Sequence, residues 1–162
     1  MYHLHGPTDL ENPRIVVVHS EDGITPFSDL SSTQDDCQES LRNWIGATMD
    51  WSQIREDVYL ISLAAVSAEA ADLAKAGLLS RFPEARLIVL LGSEAHRLFF
   101  GSRNKPTMEE TIRAYDEFLP FFPLPLPGLV SHDWLNRNPW FEQTILQMLR
   151  RCVALALERN KL

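Results

Sequence analysis

The sequence predicts an α/β protein: a three-layer α/β/α sandwich around a central four-stranded, mainly parallel sheet. Three observations carry this expectation. Arg14 to Val18, Val58 to Leu63 and Arg86 to Leu91 are short, apolar and rich in β-branched side chains, which suits strands covered on both faces. Phe118 to Leu124 reads as a fourth strand, interrupted by proline. The segments between them carry apolar residues at three- and four-residue spacing, and strand alternating with helix gives a parallel sheet.

In chain order, residues 1 to 13 are polar, contain Pro7 and Pro13, and read as a loosely attached arm. After the first strand, His19 to Ser32 is a polar loop with Gly23 and Pro26. Thr33 to Gly46 is an amphipathic helix with Cys37, Leu41, Trp44 and Ile45 on one face and Gly46 at its end. Asp50 to Glu56 is a polar connection into the second strand, and Ser67 to Arg81 is Ala- and Leu-rich and helical. Gly92, directly after the third strand, opens a turn into a helix over Ser93 to Phe100. Gly101 to Pro106 is an exposed loop. Thr107 caps a helix running to about Glu117, with Glu109 and Glu110 in its first turn. No repeat or low-complexity segment is present, and 162 residues make one domain, residues 1–162.

The stretch Pro123 to Glu142, PLPLPGLVSHDWLNRNPWFE, has two halves with different physics. Pro123, Pro125 and Pro127 fix φ and remove backbone donors, so the first half reads as a stiff loop and not a ladder strand. In the second half Asn138 suits a helix N-cap with Pro139 at the first helical position. The helix then buries Phe141, Ile145, Met148, Leu149, Cys152 and Leu155.

Composition bounds the function. Hydrophobic residues make up 45% and charged residues 23%, and no apolar run approaches the roughly 20 residues of a membrane span. The start lacks a basic segment followed by an apolar one, so no signal peptide is expected and cytoplasmic residence is the default. Net charge is −7, which counts against a broad non-specific nucleic-acid footprint but not against a local basic cluster. The two cysteines read as small buried hydrophobes. His19 and His96 lack a second ligand at helical spacing, so no metal and no cofactor is expected.

Residues 123–142 resemble the C-terminal block of the uracil-DNA glycosylase superfamily, PLPHPSPRNxxWLxxNPWFE in bacterial members. Pro123, Leu124, Pro125, Pro127, Trp134, Leu135 and Asn138 to Glu142 agree with it. RLIVLLGSEAHRLFFG, over Arg86 to Gly101, is similar to the family's LTLLVGxYAxxxYLG, and TIRAYDEFLP, over Thr111 to Pro120, to its TVRAWREYLP. Ile24 to Gly46 resembles GIPFDDPSGxRLRxWLG after an insertion, through Pro26, Phe27, Asp29, Ser31, Leu41, Arg42, Trp44 and Gly46. The resemblance covers about residues 14 to 157 and implies a uracil-DNA glycosylase-like fold. It departs where the family has His-Pro-Ser, here Leu126-Pro127-Gly128, and in the water-positioning loop, here Val18 to Gly23.

Ligands of open parallel sheets bind at the carboxyl ends of the strands, which gathers residues 19–32, 64–67, 92–96 and 125–137. A carboxylate there can orient water and offset an oxocarbenium-like charge, and the candidates are Asp22, Glu21 and Asp29. The resemblance implies a base-binding pocket at Phe27, His19, Ser31, Leu126 and Gly128, with Phe27 stacking on the base. It also implies a DNA-contacting loop, with Leu129 and Val130 as an apolar wedge beside Ser131 and His132. From their charge alone, Arg103 and Lys105, with Arg137, are candidates for phosphate contacts. Solvated turns and ordinary packing are the competing explanations for each.

The expected function is therefore a DNA glycosylase, a monomer acting on DNA and on no membrane. It flips and excises a bulky modified base, such as the glucosylated hydroxymethylcytosine of some phage DNA, and leaves an abasic site in antiviral defence. The alternative is a catalytically inactive protein of the same fold that binds DNA or a nucleotide.

Overall fold

The computed structural model describes residues 2–5, 13–20, 43–45, 58–63, 80, 82–127 and 130–158, with 2–5, 19–20 and 59–63 described through the backbone alone, apart from the side chain of Val58. Five strands form one sheet: β1 Tyr2–His5, β2 Ile15–Ser20, β3 Val58–Leu63, β4 Leu87–Leu91 and β5 Phe121–Leu124, in the order β1-β3-β2-β4-β5. β2 to β5 are mutually parallel and β1 runs antiparallel to β3. The expected four strands are thus five, and part of the expected N-terminal arm is a strand. Tyr2 pairs with Leu63 and His5 with Leu60, so β1 satisfies the backbone groups that β3 would otherwise present at an open edge. Four residues containing two histidines are too short and polar to announce this in a periodicity.

The residues that face each side of the sheet explain the unbroken apolar runs. Ile15, Val17, Leu87, Val89 and Leu91 join Trp44, Ile45, Ile112, Phe122, Leu124 and Phe141 in one buried cluster. Val16, Val18, Ile88 and Leu90 join Phe82, Ala95, Phe99, Phe100, Phe118 and Phe121 in the other. Helical elements therefore lie against both faces. β2 continues through His19 and Ser20, which the sequence placed in a loop, because both neighbours extend its ladder: His19 pairs with Ser62 and Leu91, and Ser20 with Leu63.

The helices follow from local chemistry to different degrees. α1, Ser93–Phe100, starts directly after Gly92, as expected. α2, Met108–Arg113, is capped by the Thr107 hydroxyl, which accepts the Glu110 amide at 3.1 Å. It stops short of Glu117, and a 3₁₀ turn over Tyr115–Glu117 replaces its last part. β5 begins at Phe121, later than expected, after a turn with a cis Leu119–Pro120 bond. Pro123, expected to interrupt the fourth strand, is instead a paired strand residue opposite Leu90. β5 is an edge strand, and the carbonyls of Pro120 and Leu124 accept from Ile88 and Gly92 of the β4 segment. Residue 123 therefore faces the open side, where a missing N–H costs nothing in the ladder.

α3, His132–Arg137, was expected as loop. α4, Leu146–Leu157, is preceded by a π-helical turn over Phe141–Ile145. A π turn accommodates one more residue than an α turn, so the buried stripe advances by one position. Phe141, Ile145 and Leu149 are buried as expected, but Leu146, Val153 and Ala156 complete the stripe. Met148 and Cys152 are only partly buried, and Leu155 is 64% exposed. Among the described residues no helix is long and apolar enough to cross a membrane.

Candidate functional site at the carboxyl ends of the strands

From β2 the chain moves outward to β3, returns past β2 to β4 and continues to β5. The direction of winding reverses between β2 and β4, and in sheets of this kind a crevice opens there, beyond the carboxyl ends. Ser20 ends β2, Gly92 follows β4 and Leu124 ends β5, so the segments after all three leave from one edge. β2 and β5 are separated only by β4, a span of about 10 Å at ordinary strand spacing.

Leu126 lies against Gly92 at this edge. Gly92 has φ +90°, and a Cβ built on it would lie 2.8 Å from Leu126 Cγ. Glycine is required twice here: for the positive φ and for the side chain laid across it. The Gly92 amide donates to the Leu124 carbonyl at 2.8 Å, tying the exit of β4 to that of β5. Pro125 and Pro127 are buried, and the Val130 amide donates to the Pro127 carbonyl at 3.2 Å. The loop is thus folded down at its start.

His96, on α1, is 1% exposed. Its Nε2 lies 3.0 Å from the Leu90 carbonyl, which can only accept, so Nε2 carries the proton. Burial, outweighing hydrogen bonds to the backbone of Leu90 and Leu124, lowers its pKa to about 4. The ring is neutral at pH 7, stacks on Phe100 at 6.1 Å, and leaves Nδ1 buried without a hydrogen-bond partner. No group of three or more His, Cys, Asp or Glu able to hold a metal occurs among the described residues. Cys152 is half-buried, and burial raises its thiol pKa, as for a side chain that packs and does not react.

The sequence-derived candidates separate into three groups. Leu126, Val130, Ser131, His132 and Arg137 follow β5 at the carboxyl edge. Of these, Val130 is half-buried and packs against the core with Leu126, and so does not stand out as a wedge. Ser131 is the N-cap of α3, its hydroxyl accepting the Trp134 amide at 3.1 Å, while His132 and Arg137 are exposed. Arg103 and Lys105 belong elsewhere. Arg103 donates to the Glu117 carbonyl at 2.8 Å and lies over the Phe118 ring, and Lys105 pairs with Glu117 at 3.3 Å. Both sit beside the chain entering β5, at the amino edge, because α1 carries the chain back along the sheet. Glu21, Asp22, Phe27, Asp29, Ser31, Gly128 and Leu129 lie outside the described residues, and His19 is described only as the penultimate position of β2.

Asn138 also has a different role from the expected N-cap. Its side-chain amide donates to the Trp134 carbonyl at 2.8 Å and its oxygen accepts the Trp140 indole N–H at 3.2 Å. It closes α3 and joins it to the segment that follows. Sequence reasoning missed α3 and the contacts of Glu109 with Trp134 and Arg113 with Trp140. The available signal was that Arg113 and Trp140 each fall in a block similar to the same family. No family model matches the chain.

Proposed function

We propose that this chain is a divergent DNA glycosylase that flips and hydrolyses off a base bulkier than uracil, leaving an abasic site. The carrying observation is the contact of Leu126 with Gly92. It joins two of the segments that resemble the uracil-DNA glycosylase superfamily, and it puts an apolar side chain where the resemblance implies an imidazole. A leucine offers a departing base neither a proton nor a hydrogen bond, so activity of the ordinary uracil type is disfavoured.

Stabilisation then falls to a carboxylate that offsets positive charge at C1′ and takes the proton of the water that adds to that carbon; the N-glycosidic bond breaks with its electron pair going to the base, which takes up a proton from solvent. Asp22, Glu21 and Asp29 are the proposed candidates, with Phe27 stacking on the flipped base and His19, Ser31 and Gly128 lining its pocket. His132, Ser131 and Arg137 supply exposed polar contacts for the DNA strand, and Leu129 is the wedge. The protein acts as a monomer, in the cytoplasm, against modified DNA of phage. The same leucine favours a second reading, a catalytically inactive protein that retains DNA or nucleotide binding.

Incubation with uracil-containing, unmodified and glucosyl-hydroxymethylated DNA, followed by alkali, separates the readings. Cleavage of the glucosylated duplex alone is expected. Binding without cleavage of any substrate selects the second reading, and cleavage only at uracil overturns the proposed specificity.

A further inference from the structure

Glu109 and Arg113 lie one turn apart on α2 and reach the C-terminal segment at two points. The Glu109 carboxylate accepts the Trp134 indole N–H at 3.3 Å, and the Arg113 guanidinium lies 5.0 Å from the Trp140 ring centroid. Trp134 and Trp140 meet edge to face at 6.0 Å, and Trp134 meets the buried Phe141 in the same way at 5.3 Å. Asn138 bridges the two tryptophans' segments through both atoms of its amide.

Trp134 belongs to α3, whose N-cap Ser131 is the last residue of the loop leaving β5. That loop is folded onto the core at its start through Pro125, Leu126 and Pro127, and Val130 packs there too; its far end is held by the attachment of α3 to the body. An indole has one hydrogen to donate, and here it goes to Glu109. We infer that Glu109 is a positioning residue for Val130 and Ser131, where the chain from β5 enters α3, fixing them through Trp134. The functional consequence rests on the glycosylase reading above; the structural one does not.

The test compares wild type with Glu109→Gln, Glu109→Ala, Trp134→Phe and the double variant E109A/W134F. The readouts are backbone amide exchange over residues 126–135 and the single-turnover rate and affinity on whichever DNA the wild type cleaves. Loss of a hydrogen bond to a charged group accelerates exchange about tenfold in E109A and W134F and lowers the turnover rate more than the affinity. E109Q keeps an acceptor and restores both, and the double variant is no worse than the poorer single one.

Unchanged exchange in E109A overturns the inference. So does an E109Q as impaired as E109A, which would assign the effect to negative charge at the start of α2. If wild type neither cleaves nor binds DNA, the glycosylase reading falls and the exchange data alone decide the role of Glu109.

Discussion

The two edges of the sheet treat their polar groups in opposite ways. At the amino edge, Arg14 and Arg86 both donate to the Glu158 carbonyl at the end of α4, at 3.1 and 3.0 Å. Arg103 and Lys105 are both engaged by Glu117. These cations hold segments of the chain to one another. At the carboxyl edge a positive-φ glycine lies under a leucine, and a buried imidazole keeps an unpaired nitrogen. Strained or unsatisfied groups cost stability and persist where surrounding structure over-determines them, which is common at sites and uncommon in simple ties. The carboxyl edge is the one with that character.

The largest effect expected from breaking this contrast is at Gly92. Gly92→Val imposes a side chain at φ +90° and collides with Leu126, at a cost of about 3 kcal/mol or more in urea unfolding. Gly92→Ala in a Leu126→Ala background relieves the collision alone, leaving about 1–2 kcal/mol of backbone cost. Equal stability of that pair and L126A would remove Gly92 from the strained class.

His96 gives an effect of similar size that depends on pH. Its folded pKa, about 4, is below the ordinary 6.5, so between those values the unfolded chain binds a proton that the folded chain does not. Stability is complete above about pH 6.5 and falls as the pH drops towards 4, by about 3 kcal/mol at one pKa unit per 1.36 kcal/mol. Unfolding curves across this window should lose that slope in His96→Gln; a variant with the wild-type slope would clear the imidazole of responsibility.

The smallest effect lies at the amino edge. The Lys105 and Glu117 side chains are 36% and 54% exposed, and screened pairs of this kind contribute at most about 0.5 kcal/mol. Glu117→Gln should move the thermal midpoint by no more than about 2 °C and lose even that in high salt. A larger, salt-insensitive loss would make this edge more than a set of ties.

Much of the fold was legible because it rests on local chemistry. β4 and α1 fall where the apolar run, Gly92 and Ser93 place them, and Thr107 caps α2 as its hydroxyl and the following acids predict. The candidate site was legible only as a location: parallel strands share a carboxyl edge, and Leu126 and Gly92 do meet there. Arg103 and Lys105 were misplaced because charge in a loop does not say which edge the loop returns to.

By itself the sequence determined that four runs would be strands, those of β2 and β4 buried on both faces, and that a helix would follow Gly92; the helices expected over 33–46 and 67–81 lie almost wholly outside the described residues. Only the tertiary structure decided that residues 2–5 would close the β3 edge, that Pro123 could sit in a ladder, and that the last buried stripe would advance by one residue. Each depends on a partner distant in the chain. A strand's tolerance of proline is set by which side is open, and a helix's phase by the core it must cover, and neither is written in neighbouring residues.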